Sequence, residues 1–186
     1  MDALYAALRQ RLAALDSVLV AYSGGVDSAL LVRAAVDALG PGRVLAGTAR
    51  SPVVPAGELQ AARELPRQLG VTQQVVDTDE LSDPEFRRNP EHRCFLCKGK
   101  IFGALVRVAA ERGLSSVVEG SNADDTRDHR PGIRAVQQLG VLSPYIELGI
   151  TKAQIRAMAK VKQANRDNMV HQVKSLIREL NELFIL

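Results

Sequence analysis

The chain has 186 residues, 46% of them hydrophobic and 24% charged, which is the size and balance of one soluble domain with one core. This composition excludes a mainly disordered chain, and the absence of any 18-residue apolar run excludes a membrane-spanning helix. The formal charge of +3 is small and unclustered, so it gives little reason to expect a nucleic-acid partner. Met1–Ser17 lacks the basic cluster, apolar stretch and small-residue cleavage site of an export signal. The two cysteines, Cys94 and Cys97, are too few for a disulfide scaffold, and a reducing, cytoplasmic setting is expected.

Apolar residues at helical spacing (Leu4, Ala7, Leu8, Leu12, Leu15) predict an amphipathic helix ending near Asp16. Ser17–Tyr22 is a continuous apolar run of the kind buried on both faces of a sheet. After the interruption Ser23–Ser28, helical spacing resumes at Leu30 and stops at Gly40-Pro41-Gly42. The alternation then repeats. Arg43–Ala49 reads as a strand, Ala56–Leu69 as a helix kinked at Pro66, and Val71–Asp77 as a third strand. An irregular stretch from Asp79 to Arg93 precedes a helix over Lys98–Arg112, ended by Gly113. Ser115–Glu119 reads as a fourth strand, Gly120–Gly132 as a polar loop and Ile133–Leu139 as a short helix. Strands alternating with helices imply a doubly wound α/β fold, with a parallel sheet covered on both faces. Residues 161–186 carry Met169, Val173, Leu176, Leu180 and Leu183 at four-three spacing, an amphipathic helix expected to pack on its own domain or to serve in a homo-oligomer.

The loop Ser23-Gly24-Gly25-Val26-Asp27-Ser28 joins a buried strand to a helix, the place where an open parallel sheet binds its ligands. The glycines admit an anion close to the backbone, and the helix N-terminus adds N–H donors and about half a positive charge. Ser23 and Ser28 contribute hydroxyls, and Asp27 is suited to Mg²⁺ carried by phosphate oxygens. The spacing lacks the lysine of a kinase-type phosphate loop and the Gly-x-Gly-x-x-Gly of a dinucleotide fold.

The loop resembles the pyrophosphate loop of the ATP pyrophosphatases, or adenine nucleotide alpha hydrolases. Two further segments, Asn89–Lys98 with Cys94-Phe-Leu-Cys97 and Glu119–Gly132, are similar to the ATP-dependent sacrificial sulfur transferases of the LarE type, as is Leu142–Arg156. The resemblance covers roughly residues 1–160 and implies a five-stranded sheet in the order 3-2-1-4-5. It implies ATP and Mg²⁺ as cofactors, with nucleotide contacts from Ser23 to Ser28, including Val26, and from Gly120, Asp125 and Asp128. Asp27 and Arg130 are then the expected catalytic residues. The implied reaction is adenylylation of a carboxylate on a pyridinium mononucleotide, followed by sulfur insertion in nickel-pincer cofactor synthesis.

In part of that family a third cysteine joins the pair to hold a [4Fe–4S] cluster, and in other members a lone cysteine in the C-terminal half donates the sulfur. The residues after Lys160 offer neither, and the thioethers of Met1, Met158 and Met169 cannot replace a thiolate. Cys94 and Cys97 therefore stay open between structural thiols, a remnant, two ligands of a cluster completed from outside, and a redox pair. His92, His129 and His171 are scattered without metal-ligand spacing. Two rival functions remain in view: a tRNA-thiolating enzyme, and a nucleotide-binding module without sulfur transfer.

Overall fold

In the computed structural model the described residues are 2–51, 62–126 and 131–163. Helix α1 (Asp2–Ala13) leads into β1 (Val18–Ala21), followed by α2 (Val26–Leu39) and β2 (Val44–Arg50). Then come α3 (Glu64–Leu69), β3 (Thr72–Asp77), α4 (Pro84–Arg87) and α5 (Arg93–Glu111). Strand β4 (Ser116–Val118), α6 (Pro131–Gln138) and α7 (Pro144–Glu147) follow, and a helix over 152–163, α8, is the last described element.

The four strands form one parallel sheet in the order β3-β2-β1-β4. Where the resemblance implies a fifth strand, the chain makes a single parallel bridge, Val118 to Leu142. Pro144 follows two residues later and opens α7, so the run cannot continue along the sheet edge.

Burial on both faces explains the apolar run of β1. Val18 and Val20 join α1, α2 and α8 in one core with Leu8, Leu12, Leu31 and Ile155, whereas Leu19 faces Leu105 of α5 and Val136 of α6 in the other. Helix α8 is held by the fully buried Ile155 and by the ammonium of Lys162, 3.8 Å from the centre of the Tyr5 ring.

Three boundaries differ from the sequence expectation. Helix α5 starts at Arg93 rather than Lys98, so both cysteines lie in its first two turns. Helix α3 begins only two residues before Pro66, whose missing N–H falls in a first turn that needs none, and residues 56–61 of that predicted helix lie outside the described residues. The interval after Asp79 carries the short helix α4, with Pro84 as its first residue and Asp83 capping it through Glu85 N–H. Residues 164–186, with Met169 and the other apolar positions of the predicted C-terminal helix, lie outside the described residues.

Gly47 in β2 is required by packing. A Cβ there would come within 2.7 Å of Leu19 Cδ2 and 2.8 Å of Leu105 Cδ2. Gly47→Val should destabilise the domain by about 1–3 kcal/mol, measured by urea unfolding, because the inserted carbons displace two core leucines.

Candidate functional site

The carboxyl ends of all four strands open into one cleft of about 1170 Å³. Ser23 follows β1, Arg50 and Ser51 end β2, Asp77 and Thr78 end β3, and Glu119 to Asn122 follow β4; all line it. This is the crevice where a parallel sheet can present backbone groups and helix N-termini to a ligand.

The Ser23–Ser28 loop holds a tight, internally bonded shape. Gly24 has φ +85°, a region glycine enters freely, and a Cβ there would sit 3.1 Å from that of Ala62. Ser28 Oγ donates to the Gly25 carbonyl (3.0 Å) and accepts from Ser23 N–H (3.2 Å). The two serine hydroxyls stand 3.2 Å apart, so one donates to the other. Gly25 occupies the N-cap position of α2 without a side-chain cap bond. Val26 begins the helix and is exposed.

Asp27 is the focus. One carboxylate oxygen, Oδ2, accepts from Lys152 Nζ at 2.5 Å. The other, Oδ1, is buried and has no hydrogen-bond partner. The Asp27 carbonyl accepts from the hydroxyl of Tyr145 at 2.9 Å. Tyr145 is fully buried, and burial, with the Asp27 charge second, raises its pKa well above the usual phenol value, so it stays a donor.

Gly120 lies against this turn. A Cβ on it would meet Ser28 N at 3.3 Å and Asp27 Cβ at 3.4 Å. The buried Glu119 holds the strand end in place: Oε2 accepts from Ser121 N–H (2.9 Å) and Ser121 Oγ (2.7 Å), and Oε1 from Ser143 Oγ (2.5 Å). Asp125 Oδ2 accepts from Asn122 N–H (2.9 Å), and Asp124 Oδ2 accepts from the backbone N–H of Lys152 (2.9 Å). Asp128 and Arg130, the other expected contacts, lie outside the described residues, as do His129 and His171. His92 pairs with Glu85 (2.9 Å) and does not line the cleft.

Lys152 in the cleft and the buried Glu80, which braces its wall, are residues that sequence reasoning missed. Lys152 had a readable signal, since Thr151-Lys-Ala-Gln154 forms a capping box: Gln154 Oε1 accepts from Thr151 N–H (2.9 Å) and Thr151 Oγ1 from Gln154 N–H (3.4 Å). Glu80 had none. It is fully buried, accepting from Ser51 Oγ (2.6 Å) and Thr78 Oγ1 (2.8 Å), and so ties the ends of β2 and β3 together.

Among the described residues, five carboxylates (Asp27, Asp77, Glu119, Asp124, Asp125) and three cations (Arg50, Lys98, Lys152) line the cleft. A polyphosphate carrying a divalent cation suits these acidic donors better than a bare polyphosphate does. Cys97 lines the cleft and Cys94 is exposed. Among the described residues no group of three or more His, Cys, Asp and Glu side chains is placed to hold a metal.

The NAD synthase family model matches residues 1–93, half of the 186 residues. The chain belongs to the NAD synthase family. An uncharacterised protein of Synechocystis sp. is 41% identical over 154 residues, covering 83% of this chain and 57% of that protein. Pyridinium-3,5-bisthiocarboxylic acid mononucleotide synthase of Lactiplantibacillus plantarum is 34% identical over 146 residues, covering 78% of this chain and 53% of that one. The chain thus spans little more than half the length of these curated relatives. The U34-tRNA thiolase of Methanococcus maripaludis, solved with its [4Fe–4S] cluster, superposes with a TM-score of 0.65 at 15% identity, over 87% of this chain and 64% of that one. That likeness is one of fold. It agrees with the pyrophosphate-loop α/β architecture expected of this NAD synthase family member.

The two thiols differ in their surroundings. Burial raises the pKa of Cys97, with the Glu80 charge acting in the same direction, so its thiolate is disfavoured relative to that of a free cysteine. Iodoacetamide at pH 8 should therefore label the exposed Cys94 first. Cys97 labelling, followed by peptide mass mapping, should reach half its maximal rate at a higher pH than free cysteine does.

Proposed function

We propose that this chain binds ATP with Mg²⁺ in the cleft and transfers the adenylyl group to a carboxylate of a pyridinium mononucleotide, activating it for sulfur insertion. The observation that carries the proposal is the unpartnered, buried Oδ1 of Asp27 beside the pyrophosphate loop. A buried carboxylate oxygen without a donor is costly, and a hard cation bound there removes the cost. Asp27 would hold the ion, with Asp125 as the neighbouring acid. Bound Mg²⁺ would neutralise charge on the phosphate oxygens.

The other groups belong to the chain. The loop backbone and the start of α2 supply N–H donors to the terminal phosphates, and Ser23 and Ser28 supply hydroxyls. A substrate carboxylate oxygen then attacks the α phosphorus, the bond from that phosphorus to the bridging oxygen breaks, and pyrophosphate leaves. The attacking group is already ionised at neutral pH, so no general base is needed, and catalysis reduces to positioning and charge stabilisation. The similarity to the Lactiplantibacillus plantarum synthase supports the pyridinium mononucleotide as acceptor. The two free thiols support a reducing, cytoplasmic setting.

The thiols do not by themselves fit a [4Fe–4S] cluster. Cys94 and Cys97 supply two of the four ligands, and among the described residues no third ligand stands with them. Sulfur is accordingly expected from a donor other than a third cysteine of these residues.

Calorimetric titration with Mg·ATP tests the nucleotide site. Asp27→Asn should weaken binding by about tenfold or more while leaving the fold intact, since it replaces a charged oxygen ligand by a neutral one. Equal affinity and equal pyrophosphate release would refute the role given to Asp27. Incubation with ATP, Mg²⁺ and the pyridinium dicarboxylate mononucleotide, without added sulfide, should yield adenylate and pyrophosphate. A thiocarboxylated product from a Cys94→Ser/Cys97→Ser protein would show a sulfur donor outside this account.

A further inference from the structure

Lys152 is the first residue of α8, where a cation opposes the helix dipole. The helix already has its own cap from Thr151 and Gln154 and an external one from Asp124, so it does not need the lysine side chain to start. The ammonium instead reaches Asp27, 125 residues earlier, at 2.5 Å.

A purely structural ion pair would be expected to have both carboxylate oxygens satisfied. Three other acids of the described residues have both oxygens bonded. Asp37 accepts from Tyr5 and Arg33 on separate oxygens, Glu80 from Ser51 and Thr78, and Glu119 from Ser121 and Ser143. Asp27 differs: its Oδ1 is the one buried side-chain polar atom without a partner among the described residues. Lys152 therefore neutralises the charge of Asp27, and a metal reaches the buried Oδ1 only when the carboxylate turns away from the ammonium.

We infer that Lys152 is a positioning residue, an internal counter-ion that occupies Asp27 until a metal arrives already bound to a polyphosphate. This rests on the reading of Asp27 as a magnesium ligand. A bare divalent ion must displace the ammonium and leave it uncompensated in a partly buried site. A metal carried by a polyphosphate brings negative charge that takes over the displaced ammonium. Lys152 thus makes metal capture depend on the nucleotide and keeps free divalent cations off the loop. The exchange breaks one ammonium–carboxylate contact and forms one metal–carboxylate contact, with no proton or electron moved.

The test is Mn²⁺ binding to the nucleotide-free full chain, followed by the loss of the free-ion electron paramagnetic resonance signal. The wild type should bind weakly, Lys152→Gln roughly tenfold more tightly, and Lys152→Arg like the wild type. The gain should vanish in Asp27→Asn/Lys152→Gln. Lys152→Met keeps the aliphatic stem and should reproduce the gain if the glutamine variant does not fold. A structural defect would lower metal affinity, so tighter binding separates the two roles. Unchanged or weaker Mn²⁺ binding in both neutral variants overturns the inference, as does a gain that survives loss of the Asp27 carboxylate. Mg·ATP titration of the wild type judges the nucleotide reading separately: no ATP binding together with a gain of Mn²⁺ affinity would refute that reading and leave the counter-ion role standing.

Discussion

A carboxylate with one oxygen paired to an ammonium and the other buried alone is the constraint around which this cleft is built. The penalty for an unsatisfied buried acceptor is about 1–3 kcal/mol, and it persists only where the surroundings prevent the side chain from turning to water. Here the surroundings come from distant parts of the chain. Tyr145 of α7 pins the Asp27 backbone, Lys152 of α8 pins one oxygen, and Gly120 after β4 closes over the turn. Each contact is possible because the parallel sheet delivers its strand ends to one edge.

The other acids behind and around the cleft do different work, and the difference lies in their partners. Glu119 and Glu80 are satisfied by hydroxyl and amide donors and act as ties between strand ends. Asp124 caps α8 from outside and so sets where Lys152 begins. These bonds are worth more than those of the rim, because they lie away from water. The Arg50–Asp77 pair is bidentate at 2.5 and 2.7 Å, yet both side chains are more than half exposed, so it adds little stability. Its place at the ends of β2 and β3 makes it a wall of the cleft rather than a support of the fold.

What could be read from sequence follows from the range of the interactions. The run Val18-Leu19-Val20 announces a two-faced strand because each residue is buried whatever its direction. The Ser23–Ser28 loop is equally legible, since its shape depends on bonds spanning five residues or fewer. Gly99 and the polar residues around the cysteines obscure the periodicity at the start of α5, so the pattern points to Lys98 although the helix begins at Arg93. The pairing of Asp27 with Lys152 and the burial of Glu80 depend on which strand ends become neighbours. No local pattern encodes that. The fifth strand was expected from resemblance alone, and the Leu142 bridge shows how little of it the Ser143-Pro144 turn permits.

The placement of the cysteines separates two chemistries that the resemblance joins. The groups proposed for adenylyl transfer that lie within the described residues are the loop, Asp27, Asp125 and the start of α2. Sulfur delivery to an adenylate needs a thiolate or sulfide at the cleft, since the thiolate and not the thiol is the nucleophile. Cys97 lines the cleft, but burial and the charge of Glu80 disfavour its thiolate. Cys94, one helical turn away, is exposed and does not line it. Cys97 has the position but a disfavoured thiolate, and Cys94 lacks the position. On the proposed reading the activation step and the sulfur step therefore depend on different groups, and the described residues of the cleft supply those proposed for the first.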